Sequence, residues 1–226
     1  MAEPQRIYGR NPVAEAQRGR RRVHRVWEAP ATSPEELTEL AGSPDHQGIV
    51  AEVDPYPYVD SKRLLAPDGL VLALDQVQDP RNLGAACRSA EAAGAAGVVI
   101  PDRRSASVTG AVCKASAGAV EHLAIAQVRN LADWLAAAKD AGFWIWGADA
   151  EAGQAYTDTD LSGSTVIVCG GEEKGLRPRV AGNCDGLISL PQRGKVGSLN
   201  VSAAATVLLF EALRQRGAKG NGKGGD

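Results

Sequence analysis

The sequence predicts an α/β fold, a mostly parallel sheet with helices on both faces, and two observations carry that prediction. Short apolar runs recur at 70–77, 97–101, 123–128, 143–148, 164–169 and 186–190. Each is followed by a longer polar or alanine-rich segment, the alternation produced when helices cover parallel strands. The chain is long enough: 226 residues with 44% hydrophobic content suffice for one well-packed domain and a small appendage.

Residues 1–60 read differently from the rest, with mixed charge, Pro30, Pro34, Pro44, Pro55 and Pro57, and only brief apolar stretches such as Gly48-Ile49-Val50-Ala51. They are expected to form a small amino-terminal module. Asp54-Pro55-Tyr56-Pro57-Tyr58 is dense in turn formers and marks a linker, so the larger domain is expected over 66–216. Its first run leads through Asp79-Pro80 into a helix over 82–93 with Asn82 at its start. A second helix, 131–140, ends at Gly142, as helices often do. The last, about 199–215, contains VLLFEAL and closes the domain. Residues 217–226, GAKGNGKGGD, have nothing to bury and are expected to be a disordered tail.

Several function classes are disfavoured. Cys87, Cys113, Cys169 and Cys184 are scattered, with no CxxC pair and no nearby histidine cluster, so neither a disulfide framework nor a metal site is expected. Reduced thiols fit a cytoplasmic protein. The amino terminus lacks the apolar core of a signal peptide, and no run approaches the roughly 20 residues of a membrane span. A net charge of -2 argues against holding nucleic acid by bulk positive potential, although placement matters more than the total. Arg18, Arg20, Arg21, Arg22 and Arg25 cluster, and Lys219 and Lys223 lie near the end. Such clusters suit phosphate contacts, or equally a solvated helix face.

Open α/β sheets place ligands beyond the carboxyl ends of their strands, and three such loops stand out. DQVQDPRNLGAACRSA at 75–90 runs from a strand end into a helix. Taken alone, Asn82 reads equally as an N-cap and Arg88 as a surface residue. CGGEEKGL at 169–176 puts flexible glycines and carboxylates after an apolar strand, which is a ligand loop or a plain exposed turn. LPQRGKVGSLNVSA at 190–203 stops a strand at proline and enters the final helix. Ser198 reads there as the N-cap, whereas Asn200, just inside the helix, has no such ready explanation.

Together and in this order, NLGAACRSA, GGEEKG and SLNVSAAA resemble the three signature motifs of the SpoU/TrmH branch of the SPOUT methyltransferases. The resemblance runs from about Leu70 through Arg216. IYGRNPVAEA at 7–16 and HQGIVAEV at 46–53 further resemble the start and end of that group's ribosomal-protein-like RNA-binding domain, with the material between shortened. The resemblance implies an RNA ribose 2′-O-methyltransferase using S-adenosyl-L-methionine, with a carboxyl-terminal trefoil knot through which subunits form a homodimer. By motif, it implies a catalytic set of Asn82, Arg88, Glu172, Ser198 and Asn200. Backbone groups at Gly170, Leu190 and Leu199 would hold the cofactor, and no metal is required. The front module favours 23S ribosomal RNA, at a guanosine, with transfer RNA second.

Methyl transfer from a sulfonium needs an in-line nucleophile, a bound cofactor and removal of the ribose hydroxyl proton, and positioning supplies much of the acceleration. A guanidinium with a pKa above about 12 is a poor base. Arg88 is therefore expected to orient the ribose and a neighbouring phosphate, with the phosphate sharing the proton's removal. Two other classes remain: a non-catalytic RNA-binding or ribosome-assembly factor on the same fold, and a nucleotide-dependent oxidoreductase. The intact five-residue set argues against the first. For the second, Asp102 supplies an acid after the second strand, but DPRNLG lacks the glycine fingerprint of the first strand-helix turn.

Overall fold

The structure is a computed structural model that describes residues 3–171, 175–195 and 197–221. The front of the chain forms β1 (Gln5–Tyr8), α1 (Arg10–Arg18), β2 (Val23–Glu28), α2 (Pro34–Ala41) and β3 (Ile49–Val53). Its strands make an antiparallel sheet in the order β1-β3-β2. There follow β4 (Leu70–Asp75), α3 (Pro80–Ala92), β5 (Gly97–Pro101), α4 (Gly110–Ala115), β6 (Ile125–Val128), α5 (Leu131–Asp140), β7 (Trp144–Ala148) and β8 (Gln154–Ala155). The chain ends with β9 (Thr165–Gly170), α6 (Pro178–Ala181), β10 (Gly186–Ser189) and α7 (Val201–Asn221).

Every apolar run of the sequence contains a strand, and these strands build one sheet in the order β6-β5-β4-β9-β7-β10-β8. Each neighbouring pair is parallel. The runs are apolar at both parities because side chains alternate between two buried faces. Leu70, Leu72, Leu74, Ile100 and Ile167 face a core shared with α3, α4 and α7. Val71, Ala73, Val99, Val166 and Val168 face a second core built with α5 and α6. Helices therefore cover both faces.

The helix starts differ from the sequence expectation in an informative way. Asp79 caps α3: its Oδ1 accepts from the Arg81 amide at 2.8 Å, and Pro80 occupies the first turn. Proline suits that position because its missing N–H would have no partner there. Asn82 is thus the third helical residue, buried at 9% exposure, and its side chain is not spent on the cap. At the other end, α7 starts at Val201 and Asn200 caps it, Oδ1 accepting from the Ser202 amide at 2.8 Å. Ser198 is not the cap. Helix α7 also runs to Asn221, past the 217 boundary expected for the tail, and residues 222–226 lie outside the described residues.

The front module shares its core with the large sheet. Ile7, Val13, Ala16, Ala51 and Val53 join the α3 and α4 side chains. Tyr56, in the proline-rich linker, is buried and donates to the carbonyls of Val120 (3.1 Å) and Leu123 (2.7 Å). Arg21, one of the clustered arginines, is 5% exposed. It pairs with Glu121 in a doubly hydrogen-bonded ion pair whose Nε–Oε2 arm is 2.9 Å. Burial works against the charged guanidinium, but the Glu121 carboxylate outweighs it and holds Arg21 above its ordinary pKa.

Candidate active site

A cavity of about 410 Å³ opens at the carboxyl ends of β7, β9 and β10, within the range that accommodates a small organic ligand. Cys169, Leu176, Leu190, Leu199 and Val201 give it apolar walls, while Asp149, Glu151 and Gln192 add polar ones. The four cysteines are free. Burial pushes the Cys169 thiol up to about 12, so it is a wall and not a nucleophile.

The loop after β9 is built on backbone contact. A Cβ on Gly170 would be driven into the Gly175 carbonyl and the Leu176 amide, which is why only glycine fits there. Gly175 has φ +61°, and its amide donates to the Gly171 carbonyl at 3.1 Å, so that the two glycines pair as an antiparallel bridge. The return leg is anchored from β4. Asp75, fully buried, accepts from the Arg177 amide at 3.0 Å and from Arg177 Nε at 2.8 Å. Arg177's Nη2 completes the pair at 2.6 Å. A carboxylate held by three donors gives the loop a fixed base.

Asn200 joins two of the sequence motifs. With Oδ1 engaged by the Ser202 amide and, at 2.6 Å, the Ser202 hydroxyl, its Nδ2 donates to Asn82 Oδ1 at 2.9 Å. A carboxamide can accept at its oxygen to cap its own helix while its nitrogen donates elsewhere, which a carboxylate cannot do. The connection continues along α7: Thr206 Oγ1 donates to the Ser202 carbonyl at 2.7 Å and lies 2.6 Å from Ser89 Oγ on α3. Helices α3 and α7 are therefore tied by a polar ladder, with Asn82 and Asn200 nearest the strand ends.

The structure brings Gly170, Leu190, Ser198 and Leu199 together around the cavity and joins Asn82 to Asn200 beside it. It places Arg88 on the exposed side of α3, outside the cavity lining. Among the described residues Arg88 has no hydrogen-bonded or ionic partner, so its guanidinium is available to a ligand. Glu172 lies outside the described residues. Sequence reasoning did not single out Asp149, Glu151 or the Asp75–Arg177 anchor. The first two follow the 143–148 run, so the rule that ligands sit beyond strand ends points to them. The anchor spans 102 residues and has no local signal. No group of three or more potential metal-ligating side chains occurs among the described residues.

An apolar cavity with a glycine-lined backbone floor and two carboxylates on one side suits a ligand that is partly flat and apolar and partly cationic. A carboxamide pair near the strand ends, with an exposed arginine nearly two turns further along α3, suits a polar, anionic co-substrate arriving from outside.

Comparison with known proteins bears on this geometry. The sequence profile of the SpoU rRNA Methylase family matches residues 69–210. A Bacillus subtilis protein named a putative TrmH family tRNA/rRNA methyltransferase, YacO, is 37% identical over 237 residues, covering 93% of this chain and 95% of that one. A Staphylococcus aureus protein named a putative TrmH family tRNA/rRNA methyltransferase is 40% identical over 191 residues, covering 82% of this chain and 77% of that one. Among solved structures, the SpoU methyltransferase AviRb of Streptomyces viridochromogenes, in complex with AdoMet, is similar with a TM-score of 0.82 at 26% identity, covering 94% of this chain and 90% of that one. An RNA 2′-O ribose methyltransferase superimposes with a TM-score of 0.83 at 25% identity, covering 95% and 89% respectively.

Proposed function

The chain belongs to the SpoU rRNA Methylase family and has the SPOUT fold of its solved relatives, and on that premise we propose that it transfers the methyl group of S-adenosyl-L-methionine to a ribose 2′-hydroxyl of RNA. The observation that carries the reading is the Asn200–Asn82 hydrogen bond at 2.9 Å, which draws the first and third motifs together beside the cavity.

The cavity fits the cofactor chemically. Leu176, Leu190 and Leu199 suit the adenosyl part, the backbone at Gly170 and Gly171 can come close because no Cβ intervenes, and Asp149 and Glu151 suit its cationic centres. When bound, the cofactor supplies an electrophilic methyl group. The chain's own contribution is placement and charge: Arg88 grips the ribose and an adjacent phosphate with its two-pronged guanidinium. Asn82 and Asn200, fixed to each other and to both helices, set the position of that hydroxyl. Ser198, on the loop that lines the cavity, and Glu172 complete the proposed set by their motif positions.

For the substrate we take a guanosine of 23S ribosomal RNA, supported by the front module's likeness to a ribosomal-protein-like RNA-binding domain and by the family's rRNA description. Transfer RNA is the second reading, favoured by the relatives' shared tRNA/rRNA names. Parallel incubations with methyl-labelled cofactor, unmodified 23S RNA and unmodified transfer RNA separate the two. Label in 23S RNA is expected; label in transfer RNA alone overturns the ribosomal assignment. The reaction belongs in the cytoplasm, where RNA and free thiols coexist.

Homodimer formation is part of the same proposal. Helix α7 exposes Val207 (37%), Phe210 (44%) and Leu213 (40%) on one side, an apolar stripe that a second copy of the chain would cover. Phe210→Glu is expected to convert a two-chain species to single chains in sedimentation equilibrium. A native protein that sediments as one chain contradicts the proposal.

A further inference from the structure

Exposed arginines of this net-acidic chain occur on the front module, among them Arg18, Arg20, Arg22 and Arg25, and a second group lies at the strand ends beside the cavity. Strand order sets the loops after β4, β5 and β6 side by side on one flank of the cavity, and the loop after β7 on the other. The first flank carries Arg81 at the start of α3, Arg103 and Arg104 after β5, and Arg129 after β6, all exposed. Among the described residues none of their side chains has a hydrogen-bonded or ionic partner. The acids there are Asp79, whose carboxylate is engaged by the Arg81 amide at 2.8 Å, exposed Asp102, and Asp133 in the first turn of α5, paired with Arg179 at 2.6 Å. On the other flank, Asp149 and Glu151 line the cavity. The amino ends of α3 and α5 add positive potential on the arginine side.

The loop carrying Arg103 and Arg104 is firmly seated. The Ala106 amide donates to the Val77 carbonyl at 2.9 Å. The Val108 amide donates to the Tyr58 hydroxyl at 2.8 Å, and Gln5 Nε2 to the Val108 carbonyl at 3.2 Å. With neighbouring strands about 4.8 Å apart, the three loops lay the guanidinium row over roughly 10 Å. Arg193 and Lys195, on the connection returning from β10, bring further positive charge to the cavity.

We infer that this row is the track of the RNA strand flanking the reacting nucleotide: the strand leaves the cavity on the β4 side and crosses the ends of β5 and β6 with its phosphates on Arg103, Arg104 and Arg129. The inference rests on the proposed reaction and adds to it a direction of approach. It also resolves how a chain of net charge -2 holds a polyanion: the acidic flank faces the cationic cofactor and the basic flank faces RNA.

The test compares two charge-matched double variants, Arg103→Ala with Arg104→Ala, and Lys62→Ala with Arg63→Ala. Lys62 and Arg63 are exposed on the short helix Ser61–Leu64, which packs at the amino end of β5 through Leu64 and Gly97. Binding of unmodified RNA is measured across a salt series, with S-adenosyl-L-methionine binding measured alongside. The first double variant is expected to lose on the order of tenfold in RNA affinity at low salt, with the log-log salt slope smaller by about 1.4, roughly 0.7 for each single-strand phosphate contact. The second is expected to match the native protein, and cofactor affinity to be unchanged in both. If the native chain binds RNA and both double variants bind it equally well, the track is wrong and the proposed reaction stands. If the native chain binds no RNA, both fall.

Discussion

Replacing Arg88 with lysine is expected to lower turnover by on the order of a hundredfold, while S-adenosyl-L-methionine affinity stays within about twofold. Lysine keeps the charge but presents a point donor where the guanidinium presents a rigid fork, so it cannot hold a ribose oxygen and a phosphate oxygen in one fixed geometry. Arg88→Ala, which loses the charge as well, should fall further and also weaken RNA binding. Arg88 is exposed on α3 and has no partner among the described residues, so neither change should move stability by more than about 0.5 kcal/mol. Single-turnover rates, cofactor calorimetry and melting curves on the same preparations separate these effects. Near-normal turnover in Arg88→Lys removes the orienting role, and a large drop in melting temperature makes it a structural residue instead.

Glu121→Ala is expected to cost about 3–5 kcal/mol, because it leaves the buried Arg21 guanidinium without its counter-charge. For a chain of this size that is roughly 10 °C in melting temperature. Arg21 would retain Gln5 Oε1 at 3.1 Å, the Cys113 thiol at 3.3 Å and the Tyr56 ring at 5.6 Å, none of which carries a compensating formal charge in neutral solution. Burial pushes the Cys113 thiol up to about 11, so it stays protonated. Replacing both partners, Arg21→Met with Glu121→Leu, should recover most of the loss, since well-packed apolar side chains often match a buried ion pair. Differential scanning calorimetry reads both variants. A Glu121→Ala protein that melts like the native one would mean that this pair does not hold the front module to the large sheet.

The two halves of the fold were unequally legible. Each strand of the large sheet except β8 announced itself, because a parallel strand buried on both faces is apolar at every position and bounded by polar segments. The two-residue β8 is too short to leave a pattern. Helix α4, six residues rich in small side chains, also passed unnoticed. The place of the front module in the common core was not legible. That depends on Ile7 and Val53 meeting α3 and α4 and on Arg21 finding Glu121 100 residues away, contacts that no local window contains.

The site was legible as motifs and less so as geometry. NLG, GGEEKG and SLN follow the ends of β4, β9 and β10, and Gly170, Leu190, Ser198 and Leu199 line one cavity. What the sequence misjudged was which residue caps which helix. Asp, Asn and Ser all cap well, so a segment holding Asp79 and Asn82, or Ser198 and Asn200, has two solutions. Tertiary packing chose Asp79 and Asn200, and that choice leaves Asn82 to meet Asn200. The bland reading of Asn82 as a cap is thereby removed, while Asn200 turns out to serve as both a cap and a bridge.

The central claim is transfer to a ribose 2′-oxygen, and identification of the methylated nucleoside tests it most directly. The native protein is incubated with methyl-labelled S-adenosyl-L-methionine and RNA lacking the modification, and the RNA is digested completely and resolved by chromatography and mass spectrometry. The account predicts one labelled nucleoside carrying the methyl group on its sugar, absent when Arg88→Ala replaces the native chain. A label on a base, or no label in any ribosomal or transfer RNA, would contradict it.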